Sequence, residues 1–122
     1  MNFRLKTSKQ TGEKLAFLQN STGLTWNILA RLAISLSLKD PSVPNPVDNK
    51  AGVDIHRNAL TGDNDYVYKA MIRQHSKRNV PEEEYFPDLF NAHLDRGIQL
   101  LENEYKHAGN YEKLLINLLK MN

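Results

Sequence analysis

Residues 2–7 alternate between polar and apolar side chains, with Phe3 and Leu5 at the apolar positions. An alternation of period two sends the apolar side chains to one face of an extended chain and the polar side chains to the other. The pattern therefore predicts a β-strand near the start of the sequence.

Two amphipathic helices are predicted directly behind this strand. The first spans residues 9–21, with Ser8 as its N-cap and Gly23 as the residue that ends it with a positive φ angle. The second begins behind Thr25 and shows apolar residues at steps of three and four until the Asp40-Pro41 step stops it. The chain thus starts with the order strand, helix, helix.

The middle of the chain has a weaker pattern. Residues 39–52 contain three prolines together with Asn, Asp and Gly, which is typical of an extended segment without regular structure. Residues 53–62 are too weakly patterned to assign and are interpreted as loop. A third helix is predicted from a cap at Asp63 or Asn64 to about Arg78.

Two further helices follow the break at Pro81. The fourth and longest is predicted over residues 86–105, with a stripe of leucine, isoleucine and aromatic residues. The last begins at Asn110 and is amphipathic, which is equally compatible with closing the core and with docking on a partner.

The strand at residues 2–7 has no clear partner in the sequence. A lone strand exposes unpaired N–H and C=O groups on both edges and is not stable. We therefore expect it to pair with the same strand of a second copy, as an antiparallel ribbon across a twofold axis. The second helix, which is apolar on more than one face, also favours an oligomer.

The composition is that of a folded globular chain, with 40% hydrophobic and 25% charged residues. The sequence has no cysteine, which excludes disulfides, thiolate zinc sites and cysteine nucleophiles in this chain and agrees with a reducing compartment. No apolar run is long enough to span a bilayer, and no signal-peptide pattern is present. We expect a cytoplasmic location and no contact with a membrane.

The net charge of +2 is unevenly distributed along the chain. Residues 1–39 carry six basic residues against Glu13 alone, a balance of +5, whereas residues 40–122 have a balance of −3. Such an asymmetry indicates that the first third of the chain faces a polyanion.

Several basic and polar residues are candidates for contacting DNA. A two-stranded ribbon fits the major groove, and a helix N-terminus with its free N–H groups binds phosphate, as expected for the second helix at Thr25 and Trp26. Trp26 is otherwise expected to anchor packing. The candidate contacts are the outward strand residues, the lysines that follow the strand, the N-cap of the second helix and a basic stripe on the third helix. The alternative for this stripe is an ordinary solvated helix face. The candidates are Asn2, Arg4, Lys6, Lys9, Lys14, Thr25, Lys69, Arg73, Lys77 and Arg78.

The sequence gives no positive signal for catalysis. The four histidines lack metal-ligand spacing, and no phosphate-cradling loop or nucleophile motif is present. Asp54 with His56, or Asp95 near His93, are acid–base pairs only by proximity in sequence. The carboxylates of residues 82–84 diverge on a helix, so capping and solvation are expected of them. We expect a protein that is not an enzyme and that needs neither metal nor cofactor.

Several segments carry resemblances to two known families. The segments FRLKTS and TGLTWNILARLA resemble the ribbon-helix-helix class of DNA-binding dimers. More narrowly, GLTWNILARLAISLSL, LTG at residues 60–62 and HLDRGIQLL at residues 93–101 are similar to the DndE family of bacterial DNA sulfur-modification proteins. This resemblance extends over residues 3–105.

The resemblance implies a fold and a function. The length and the pattern of the chain predict a mainly α, oligomeric single domain over residues 1–122, with a linker or loop at 40–62 and further packed helices at 63–122. The resemblance implies that the segment at 1–39 is ribbon-helix-helix-like. It also implies a small accessory protein in DNA phosphorothioation that binds duplex or nicked duplex DNA. Its partners would be other DNA sulfur-modification proteins, and its assembly a homo-oligomer, a tetramer rather than a dimer.

Three alternatives remain open at the level of sequence. A ribbon-helix-helix transcriptional repressor would read bases through Arg4 and Lys6. A protein interaction adaptor within the modification complex would use the second helix and the C-terminal leucines. A nuclease would need a metal site that the histidine spacing does not provide.

Overall fold

The N-terminal third of the chain folds in the order expected from its pattern. The structure, a computed structural model, describes residues 2–120. Strand β1 covers Arg4–Lys6, helix α1 covers Lys9–Thr22 and helix α2 covers Trp26–Lys39. Ser8 caps α1 by accepting the Thr11 N–H at 3.0 Å, and Gly23 ends α1 with φ 77°. The predicted caps of the first helix are therefore confirmed.

Strand β1 pairs within the chain, so the predicted ribbon between two copies is wrong. Its partner is strand β2, Asp54–His56, which runs antiparallel with Leu5 opposite Ile55. The other edge of β1 is also occupied, because the Asn91 side chain donates to the Lys6 carbonyl at 2.9 Å. An edge that is already bonded has no room for a second copy.

The interpretation of residues 53–62 as loop is also wrong. This segment contains β2 and a short helix α3, Arg57–Thr61. Only Ile55 is apolar within β2, and three residues give too short an alternation to be recognised. The segment is structured because Ile55 is buried against the core and its backbone completes the ladder with β1.

The second half is helical, as predicted. A 3₁₀ turn at Gly62–Asn64 leads into helix α4, Asp65–Ser76. An irregular π-helical segment, Glu84–Leu89, contains a cis Phe86-Pro87 bond and precedes helix α5, Phe90–Ala108. Regular helix starts later than the predicted residue 86 because Phe86 is extended, with φ −134° and ψ 126°. Helix α6 covers Tyr111–Lys120.

The core is centred on the contact between α2 and α5. Cβ built on Gly97 would lie 1.9 Å from the Ala33 carbonyl oxygen, so the two helix backbones touch at this point. Helix α2 also packs against α1, α3 and α4. These helices of the same chain cover most of the apolar surface of α2 that was expected to pack against a second copy. The mainly α fold is confirmed, and β1 and β2 form a small two-stranded sheet.

Helix α6 is only partly buried. Leu114 belongs to the core and Leu118 packs against it, whereas Leu115, Ile116 and Leu119 are exposed. Among the helices of residues 2–120, none combines the length and the apolar character required to cross a bilayer.

Candidate nucleic-acid interface

The outward face of the β1–β2 pair carries two of the predicted cations. Arg4 and Lys6 are exposed on either side of buried Leu5, as the alternation of the strand requires. Opposite them lie His56 and Asp54 of β2. The Asp54 carboxylate is 3.5 Å from Arg4 Nε, so one of the two positive charges is already partly paired.

Asn2 is bonded to the chain on its inner side. Its backbone oxygen accepts from Arg57 at 3.1 Å, and its amide is 3.5 Å from the Phe86 carbonyl. Asn2 therefore fixes the start of β1 more than it extends the basic face.

The two lysines of α1 differ in their surroundings. Lys9 stands exposed at the first position of the helix, and its ammonium group has no partner within residues 2–120. Lys14 is half-buried, because its ammonium donates to the Gln99 side chain and lies 4.0 Å from the Glu102 carboxylate. Lys9 is available to a ligand, whereas Lys14 serves to hold α1 on α5.

The N-terminus of α2 has a cap residue but no side-chain cap bond. The Thr25 hydroxyl donates to the Asn27 side chain rather than accepting from the backbone. The first turn also lacks an acidic residue, so the positive end of the helix dipole is not neutralised there. Trp26 is half-buried and packs against the core, as expected of a packing anchor.

The basic stripe predicted on α4 is mostly paired within the chain. Lys69 donates to Glu82 at 3.2 Å, and Arg73 donates to the Val80 carbonyl at 2.9 Å. The Arg78 guanidinium pairs with Glu84 and holds the pKa of that carboxyl below its usual value. Within residues 2–120, Lys77 alone of the four basic residues keeps an unpartnered side chain; it ends α4 with φ 57°.

The carboxylates of residues 82–84 thus do more than the capping and solvation expected of them. Glu82 accepts from Arg57 at 2.9 Å as well as from Lys69, and the bonds from Arg57 lower its pKa. Glu82 and Glu84 are both ion-pair partners that fix the segment after α4.

A cluster of charged and aromatic side chains surrounds Arg57, and the sequence did not predict it. We call it the Arg57 cluster. Arg57 is 6% exposed, and its guanidinium donates to Asp65 at 2.6 Å and lies 4.6 Å above the Phe86 ring. Burial opposes ionisation of Asp65, but the bonds and charge of Arg57 outweigh it and lower the pKa of Asp65. The charged and aromatic members lie in different elements, so no local spacing signals the cluster.

The rings of buried His93 and partly buried His75 pack edge to face. His93 is fully buried, with its Nδ1 atom 2.8 Å from the Ser37 hydroxyl, and its ring centroid is 4.9 Å from that of His75. Asp95 instead accepts from Ser8 and Thr11, so it forms no acid–base pair with His93. Within the described part of the chain, no three His, Asp or Glu side chains are grouped to hold a metal ion.

Burial of His93 makes stability depend on pH. Burial, and then the neighbouring charges of His75 and Arg96, lower the pKa of His93 to about 3. An unfolded histidine titrates near 6.5, so the unfolded chain takes up a proton between these values and folding stability falls as the pH falls below about 6.5. The loss approaches about 1.4 kcal/mol per pH unit, measurable from urea unfolding between pH 7.5 and 5.

The variant His93→Gln separates this effect from other titrations. It should flatten the pH dependence between 7.5 and 5, while the control His107→Gln, at an exposed position near the end of α5, should keep it. An unchanged pH slope in His93→Gln would contradict the assignment.

Comparison with known proteins adds the family. The family model described as DNA sulphur modification protein DndE matches residues 4–121. The crystal structure of DndE from Escherichia coli B7A, involved in DNA phosphorothioation modification, has a TM-score of 0.66 and 22% identity, covering 80% of this chain and 96% of that one. A glycine-to-lysine DndE mutant has a TM-score of 0.66 and 21% identity, covering 84% and 99%.

A search of curated protein sequences gives no match to this chain. The solved structures confirm the fold through their TM-scores, and the family model spans nearly the whole sequence. The resemblance seen in the sequence is therefore confirmed: the chain belongs to the DndE family of DNA sulphur-modification proteins.

Proposed function

We propose that this protein is a non-catalytic accessory protein of DNA phosphorothioate modification and that it binds duplex or nicked duplex DNA through backbone phosphates. Its membership of the DndE family supports the pathway. The observation that carries the DNA contact is the pair of exposed, unpartnered lysines, Lys6 on the outward face of β1 and Lys9 at the start of α1. Lysines without internal ion pairs can neutralise phosphates at no cost in folded-state contacts.

Further contacts are proposed at Arg4, which shares the outward face of β1 with Lys6, and at other positions of the chain. Arg4 contributes a guanidinium that can exchange Asp54 for a phosphate, since that ion pair is exposed. The uncapped N-terminus of α2 at Thr25 offers backbone donors to a second phosphate. Asn2 flanks the strand, and Lys77 adds an exposed charge at the end of α4.

The remaining predicted contacts take a secondary part in the proposal. Each would first have to release a partner within the chain, and that exchange offsets part of the gain from a phosphate contact. These residues are Lys14, Lys69, Arg73 and Arg78.

Removing the two unpartnered lysines tests the proposed surface. We expect the double variant Lys6→Gln and Lys9→Gln to bind duplex DNA at least about ten-fold more weakly at low salt, with the slope of log K against log salt reduced by about 2. The matched control is Lys113→Gln, an exposed and unpartnered lysine on α6. Fluorescence anisotropy with a labelled duplex measures both, and an unchanged slope in the double variant would exclude these lysines.

We further propose a homo-oligomer, with a tetramer favoured over a dimer, that works beside other DNA sulfur-modification proteins. The exposed apolar side chains of α6, Leu115, Ile116 and Leu119, support self-association because their burial against a second copy would be favourable. Light scattering on the protein used in the DNA titrations measures the mass of the assembly.

A further inference from the structure

Phe3 is an aromatic side chain that the fold leaves uncovered. It is 57% exposed, although it is two residues before buried Leu5 and was expected on the same face as Leu5. The ring lies at the rim of a groove formed with the end of β2, α3 and the start of α4. Burial of this ring against a ligand would be favourable.

The groove has the size of a small-ligand site, about 320 Å³. Its lining residues are Phe3, His56, Arg57, Asn58, Thr61 and Asp65. Three of them already have partners: Arg57 and Asp65 neutralise each other at 2.6 Å, and the Thr61 hydroxyl donates to the Arg57 carbonyl at 3.1 Å. The groups left for a ligand are the Phe3 ring, the His56 imidazole and the Asn58 amide.

The polar groups of the groove offer both donors and an acceptor. His56 Nδ1 accepts the Asn58 backbone N–H at 3.1 Å, so the neutral ring carries its proton on Nε2 and presents a donor there. The Asn58 side chain is exposed and has no partner within residues 2–120, which leaves its amide free to donate and accept. A flat apolar surface beside such groups matches the face and the edge of a nucleobase.

We propose that this groove receives one unpaired nucleobase of bound DNA, stacked on Phe3 and hydrogen-bonded at its edge by His56 and Asn58. The inference rests on the proposed DNA binding, because Arg4, which lies opposite His56 in the β1–β2 pair, would hold the adjoining phosphate. A base inside an intact duplex has both faces covered by its neighbours, so the groove selects DNA in which a base is free.

The test compares two duplexes of equal length. One is fully paired, and the other carries a single bulged 2-aminopurine, whose fluorescence is quenched when it stacks. We expect the native protein to bind the bulged duplex about ten-fold more tightly and to quench its fluorescence, since stacking on an aromatic side chain contributes a factor of about this size.

Substitution of Phe3 locates the effect. Phe3→Ala should lose the ten-fold preference and the quenching while its binding of the paired duplex is unchanged, and Phe3→Trp should retain both. The matched control is Phe17→Ala, which removes another exposed aromatic ring on α1. Because Phe3 lies at the surface, Phe3→Ala is expected to fold normally.

The outcomes separate the two proposals. Salt-dependent binding of both duplexes with equal affinity, or a preference that persists in Phe3→Ala, would overturn the base site alone. Failure to bind either duplex would overturn the proposed function and the base site with it.

Discussion

Replacing Gly97 by alanine is expected to destabilise the protein by about 3 kcal/mol or more, because the added methyl group has no space between α2 and α5. Its Cβ would lie 1.9 Å from the Ala33 oxygen and 2.3 Å from the Ala33 carbonyl carbon. Both atoms belong to the backbone of a buried helix, so neither can move without separating the two helices at the centre of the core.

The size of this effect distinguishes a steric cause from the ordinary cost of changing a glycine. Within a helix, alanine is favoured over glycine by about 0.5–1 kcal/mol, so propensity alone would stabilise Gly97→Ala. The control is Gly23→Ala, where φ is 77° but no atom lies within 4 Å, and a cost of about 1–2 kcal/mol is expected. Urea unfolding measures both variants, and a Gly97→Ala protein as stable as the native one would contradict the described α2–α5 contact.

Replacing Arg57 by methionine is expected to cost about 3–5 kcal/mol, because it leaves two carboxylates without their common partner. The guanidinium joins Asp65 at 2.6 Å and Glu82 at 2.9 Å while lying over the Phe86 ring, and Tyr85 adds a hydrogen bond to Asp65 at 3.1 Å. These contacts connect the start of α3 to α4 and to the segment before α5.

Arg78→Met provides the matched control, since the Arg78–Glu84 pair has similar chemistry but is half-exposed. Ion pairs in contact with water contribute little, so this variant should unfold close to the native protein. Equal unfolding midpoints for the Arg57 and Arg78 variants would show that the buried cluster contributes no more to stability than the half-exposed ion pair. The conservative variant Arg57→Lys keeps the charge but not the forked hydrogen bonds and should fall between the two.

The sequence predicted those parts of the fold whose signals are local. Ser8 and Gly23 delimit α1 because capping depends on bonds within one turn, and the apolar stripe of α2 reflects its own buried face. The partner of β1 was missed because pairing is decided by distant residues. A single apolar residue, Ile55, between two polar residues is too short a pattern to predict a strand.

The exposure of Arg4 and Lys6 was predicted from the sequence, but the ion pairs of the candidate residues were not. Sequence shows where cations lie along the chain, and it correctly indicated that Arg4 and Lys6 share an exposed face. It does not show which carboxylates form ion pairs with these cations. The ion pairs of Lys14, Lys69 and Arg78 with other elements could therefore not be predicted. Phe3 was expected on the same side as Leu5, but only the tertiary fold reveals that the core ends before reaching it.

The main proposal is that this protein binds DNA through the backbone phosphates. A salt titration of the intact chain tests this proposal most directly. The association constant for a duplex is measured by fluorescence anisotropy over a range of salt concentrations. We expect the logarithm of the association constant to fall linearly with the logarithm of the salt concentration. The slope should be about −0.9 for each phosphate neutralised, with several phosphates engaged. A slope near zero, or no binding at low salt, would contradict it.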